Sequence, residues 1–115
     1  MQNAQMSAHT RLATYGTLAP GRVNNDQLSD LAGEWRQGTV RGRLVEAGWG
    51  AELGYPGLIL DLSGQDIGVH VFESPDLSNH WLRLDAFEGA GYRRVVTQIM
   101  TEEGDLEASI YVIDA

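Results

Sequence analysis

Turn signals interrupt this sequence at short intervals, and their spacing constrains the fold more than any other feature. Gly16, Pro20-Gly21, Gly54-Tyr55-Pro56-Gly57, Ser63-Gly64, Ser74-Pro75, Gly89 and Glu102-Glu103-Gly104-Asp105 each combine residue types that set up turns. The segments between them are short and rich in β-branched and aromatic residues. Arg11–Tyr15, Trp35–Trp49, Leu58–Leu62, Ile67–Glu73, Tyr92–Met100 and Leu106–Ile113 read as about six strands. Ile67–Glu73 sets Val69 and Val71 against Gly68, His70 and Phe72 in strict alternation, while Gly38 and Gly42 mark bends or bulges in the long Trp35–Trp49 run. The last two strands, joined across Glu102–Asp105, read as a hairpin.

Two helices complete the reading. Asn24-Asn25-Asp26 supplies a cap for a helix carrying Leu28 and Leu31 at i, i+3. A second helix opens at Ser74-Pro75-Asp76-Leu77-Ser78, has its body over Asn79–Phe87 and stops at Gly89. Six strands and two helices in 115 residues make an α+β fold whose curved, mostly antiparallel sheet closes as a small barrel. Residues 1–10 (MQNAQMSAHT) are polar and unpatterned. They read as a mobile tail, or as an upstream start with Met6 the second candidate initiator, leaving one domain over residues 11–115.

Composition removes whole classes of chemistry. With no Cys there are no disulfides, thiolate nucleophiles or thiolate metal sites, and because all eight basic residues are Arg there is no Schiff-base or phosphate-loop lysine. A net charge of -8 and a pI near 4.6 argue against a nucleic-acid binder, which needs clustered cations. Apolar runs are only a few residues long, as in Leu58-Ile59-Leu60, so no membrane span is expected, and the absence of a signal peptide points to a cytoplasmic protein. His9, His70 and His80 match no metal-ligand spacing; no metal is expected, and His70 and His80 read as surface or partly buried side chains.

Two stretches carry candidate chemistry. In Tyr15-Gly16-Thr17-Leu18, a glycine where a strand breaks frees successive backbone N–H groups to converge on an anion. In Leu82–Gly89, Trp81, Leu84 and Glu88 share a helix face, which sends the Glu88 carboxylate in the direction of two large apolar side chains. The carboxyl end of a helix and an apolar setting both disfavour the anion, raising its pKa toward that of a general base. The competing reading is an ion pair between Glu88 and Arg93 or Arg94, which acts in the opposite sense; on spacing alone it has a slight edge.

Together the two stretches resemble the γ-glutamylcyclotransferase-like superfamily, in its small single-domain γ-glutamylamine cyclotransferase or AIG2-like form. Tyr15-Gly16-Thr17-Leu18-x-x-Gly21 resembles the family's amino-terminal loop, and Leu84-Asp85-x-Phe87-Glu88-Gly89 with Tyr92-Arg93-Arg94 resembles its Leu-Asp-x-x-Glu-Gly helix end and following Tyr-x-Arg. Gly42-Arg43-Leu44, Trp49, Gly54-Tyr55-Pro56 and Ala108–Val112 also fit, so the likeness runs from about Leu12 to Ile113.

The resemblance implies a barrel with flanking helices and a cavity in which the Tyr15–Leu18 loop (Tyr15, Gly16, Thr17, Leu18) holds a glutamyl carboxylate and Glu88 is the acid/base. It implies release of 5-oxoproline from a small γ-glutamyl amine or amino acid, the substrate's own α-amine attacking its γ-carbonyl. That reaction calls for no protein nucleophile and no cofactor. Tyr92, Arg93 and Tyr111 are further candidate substrate contacts, with Arg43 a weaker one, and the expected assembly is a monomer or weak homodimer. The alternative from another class is a non-catalytic module that uses the same cavity to bind a small carboxylate ligand.

Overall fold

The computed structural model describes residues 8–15, 28, 31–46, 56–89 and 91–113. Six strands form one sheet: β1 (Arg11–Thr14), β2 (Glu34–Glu46), β3 (Pro56–Leu60), β4 (Gln65–Glu73), β5 (Tyr92–Thr101) and β6 (Gly104–Ile113). Their order is β3-β2-β4-β1-β6-β5, and β5 returns to β2 through the pair Thr39↔Met100. Five strands therefore close a barrel, with β3 added outside the ring. All pairings are antiparallel except β1–β6, which run parallel with Leu12 opposite Ser109 and Ala13 opposite Ile110. The expected α+β barrel is the fold observed.

The alternation seen in the sequence divides the apolar residues between two cores. Ala13, Val40, Ile67, Val69, Val71, Ile99, Ile110 and Val112 point into the barrel. Their neighbours Leu12, Phe72 and Tyr111 point outward and pack with Leu28, Leu31, Leu77, Trp81 and Leu84 in a second cluster beneath the helix. Period-two side-chain geometry lets one strand serve both. The helix Trp81–Glu88, here α1, buries Trp81 and Leu84 in that outer core.

Strand ends differ from expectation by a few residues. The third strand starts at Pro56, because Pro56 and Gly57 pair with Glu46 and Val45; it stops at Leu60, because Asp61 begins a turn in which its carboxylate accepts from Ser63. The hairpin loop contracts to Glu102-Glu103. Its positive φ falls on Gly104 (114°), and Thr101 Oγ1 closes the turn by donating to the Gly104 carbonyl. Of the two expected glycine bends, Gly42 is where β2 leaves β4 for β3, pairing with Gln65 and Leu60 in turn. At Gly38 β2 instead stays in register with β4 and comes close to β5: an added Cβ would lie 2.6 Å from Ile99 Cγ2 and 2.8 Å from the Met100 carbonyl oxygen.

The segment expected to be one helix from Ser74 is two elements. A 3₁₀ turn at Pro75–Asn79 is capped by the buried Ser74, whose hydroxyl accepts from the Asp76 N–H. His80, at φ -121° and ψ 2°, separates it from α1. The other expected helix falls on residues that are almost all outside the described ones; within it, Leu28 and Leu31 are buried in the outer core. The tail needs correcting at its inner end. Ala8 is buried and its carbonyl accepts from Ser109 Oγ, the His9 carbonyl accepts from Trp81 Nε1, and the Thr10 carbonyl accepts from the Ser74 N–H. Among the described residues no helix is long and apolar enough to cross a membrane.

Candidate functional site

α1 ends over the part of the barrel where β1 and β6 finish and β5 begins. Glu88 is its last residue. The chain then turns through Gly89, at φ 88° and ψ -178°, whose N–H still donates to the Asp85 carbonyl. The glycine stop is thus present, but in the extended positive-φ region rather than the left-handed helical one. This abrupt exit leaves Glu88 partly buried above the tyrosines.

Burial pushes the Glu88 carboxyl from its ordinary 4.5 up to about 7. The competing ion pair does not form: among the described residues no cation pairs with Glu88. Arg94 instead makes two hydrogen bonds to Asp85, Nε to Oδ1 at 2.9 Å and Nη2 to Oδ2 at 3.2 Å, with its guanidinium carbon 4.4 Å from the centre of the Trp81 ring. Burial works against the Asp85 charge, yet the Arg94 and Tyr111 hydrogen bonds outweigh it and hold that carboxyl below its ordinary value. Two carboxylates one turn apart are therefore tuned in opposite directions.

Three expected tyrosines gather around Glu88. Tyr15 packs against the barrel core, donates its hydroxyl to the Tyr111 carbonyl (2.7 Å) and accepts from the Leu58 N–H (3.0 Å). It joins the ends of β1, β3 and β6. Its hydroxyl is held far above the ordinary tyrosine value, chiefly by burial and in part by the Glu88 charge. Tyr111 donates to Asp85 Oδ1 at 2.7 Å and is raised by burial and by that bond. Tyr92 is raised by burial and by the Glu88 charge.

Of the remaining expected residues, Arg93 is exposed and alternates to the face of β5 opposite Tyr92 and Arg94. Arg43 is exposed on β2, with Nε 3.6 Å from Asp61 Oδ2. Gly16, Thr17 and Leu18 lie outside the described residues. The sequence reading missed the part played by Asp85 and Trp81; the i, i+3 spacing of Asp85 and Glu88, with one strand supplying Arg94, was the available signal. No group of three potential metal ligands occurs among the described residues. A separate groove of about 940 Å³, lined by Gly38, Gly68, His70 and Met100 among others, opens at the far end of β5. With Tyr92 and Met100 eight residues apart on one strand, that groove lies roughly 25 Å away.

A sequence model described as γ-glutamyl cyclotransferase, AIG2-like, matches residues 12–115. The chain belongs to this family. Among solved structures, that of YkqA from Bacillus subtilis is similar at 27% identity with a TM-score of 0.71 over 91% of this chain, which spans only 36% of YkqA's length. An AIG2-like protein from Mus musculus is 20% identical with a TM-score of 0.69, covering 91% of this chain and 77% of its own. A protein from Pyrococcus horikoshii is 19% identical with a TM-score of 0.62, covering 92% and 79%. The last two support the cyclotransferase-like fold, and no curated protein matches the sequence. Membership of the γ-glutamyl cyclotransferase, AIG2-like family supports a cyclotransferase-type function in general terms.

Proposed function

We propose that the protein is a γ-glutamyl cyclotransferase that releases 5-oxoproline and a free amine from a small γ-glutamyl amine or γ-glutamyl amino acid. The observation that carries this reading is Glu88, a partly buried carboxyl raised to about 7 with no cation paired to it among the described residues. Such a group both accepts and returns a proton near neutral pH. The substrate's α-amine attacks its own γ-carbonyl carbon, closing a five-membered lactam. Glu88 takes the proton lost by the attacking nitrogen and delivers it to the leaving amine as the old amide C–N bond breaks. Proton and bond counts balance without protein acylation.

Holding the substrate folded for ring closure supplies a proximity advantage of up to roughly 7 to 11 kcal/mol. We assign that task to the Gly16–Leu18 amides, as the family resemblance implies, with Tyr15 anchoring the strand from which they depart and Tyr92 and Tyr111 forming the adjacent wall. Arg93, exposed on the opposite face of β5 from Tyr92, has no part in this scheme.

The test is mass-spectrometric detection of 5-oxoproline after incubation with γ-glutamyl amino acids, γ-glutamyl-lysine and γ-glutamyl alkylamines. The wild type is expected to turn over at least one class, and Glu88→Gln to lose roughly 10²- to 10⁴-fold in kcat while keeping the fold. Near wild-type turnover by the variant overturns the role of Glu88. Stable binding across the panel with no product from the wild type overturns the enzyme and favours a ligand-binding module.

A further inference from the structure

Residues three apart on a helix are neighbours, with Cβ atoms about 5 to 6 Å from one another. Asp85 and Glu88 stand in this relation on α1, and β5 brings Arg94 against the same helix. An arginine free in this position would find two carboxylates. It is held by only one of them: the two hydrogen bonds from Arg94 to Asp85, the packing of the guanidinium on Trp81 and the Tyr111 hydroxyl on Asp85 Oδ1 all converge on the earlier residue.

We propose that Asp85 is a positioning residue for Glu88: it holds the Arg94 guanidinium against Trp81 and ties α1 to β6 through Tyr111, denying Glu88 a cationic partner. The inference rests on the reading of Glu88 as the proton carrier and adds what keeps it in that state.

The groups facing Glu88 support this. Tyr15 from the end of β1, Tyr92 from β5 and Tyr111 from β6 all stay neutral through the physiological range, since each is raised above 10. Arg93 is exposed on the other face of β5. With Arg94 bound to Asp85, burial is what raises the Glu88 carboxyl; on this proposal the mutual bonds of the pair keep either charge from acting on Glu88 alone. Removing Asp85 frees Arg94 for Glu88 and withdraws a neighbouring anion; both changes stabilise the Glu88 carboxylate. Removing Arg94 leaves an uncompensated anion one turn away, which disfavours it.

The experiment follows the Glu88 side-chain carboxyl by ¹³C NMR across pH, without substrate, the resonance being assigned by its loss in Glu88→Gln. In Asp85→Asn the titration midpoint is expected to fall by about one pH unit or more, in Arg94→Gln to rise, and in the double variant to return close to the wild-type value. The acid limb of kcat/KM is expected to move with it. A purely structural role lowers stability in every variant and leaves the midpoint in place. An unmoved midpoint in Arg94→Gln, which decides the matter even where Asp85→Asn fails to fold, overturns the proposal. If the wild type releases no 5-oxoproline, the reaction falls while the titrations still decide what Asp85 does.

Discussion

At the scale of single residues, Glu88 and Asp85 show how identical chemistry diverges with its partners. The Glu88 carboxyl sits at about 7 in the fold against 4.5 when unfolded, so between those values the native state holds a proton that the unfolded chain has released. Stability therefore falls as pH rises from about 4.5 to 7, and above that the buried charge costs up to about 3 kcal/mol. Glu88→Gln is expected to be more stable than the wild type by up to that amount in urea unfolding at pH 8, with the advantage shrinking toward zero near pH 4.5. A constant advantage at both pH values contradicts this. The sequence showed that Glu88 shares a face with Trp81 and Leu84, and so that burial would act on it. It did not show which carboxylate Arg94 would choose, because that depends on how β5 lies against α1.

At the scale of elements, alternation was the legible signal. Ile67, Val69 and Val71 enter the barrel as their period of two requires, and Tyr92–Thr101 forms a strand close to its expected bounds. Helix structure was less legible, because the break at His80 comes from a bridge-region backbone for which no residue type is diagnostic. At the other end of α1 the residue type is diagnostic. With φ at 88° and ψ at -178°, Gly89 occupies a region essentially confined to glycine. Gly89→Ala is expected to lose about 1 to 3 kcal/mol in denaturant unfolding and, by moving Glu88, to reduce kcat more than it changes KM. Unaltered stability would mean that the turn has an unstrained alternative.

At the scale of the whole molecule, the ring closes where β2 meets β5, and Gly38 permits the approach. A side chain there meets both Ile99 and the Met100 backbone, so Gly38→Val is expected to destabilise by about 1 to 3 kcal/mol, seen as a lower Tm, with amide-exchange protection lost first at Thr39 and Met100. Protection unchanged along β2 and β5 would contradict that account. Barrel closure was legible as a class, from the number and shortness of the strands, but the partner of each strand was not, since pairing is set by distant contacts.

The parallel pair β1–β6 has a consequence for how the protein is made. Leu12 and Ala13 lie beside Ser109 and Ile110, so the first strand finds one of its two neighbours only in the last. A nascent chain emerging from the ribosome exposes Tyr15 well before Tyr111, whose backbone carbonyl Tyr15 grips. The site is consequently assembled by long-range closure, and only once β6 has emerged.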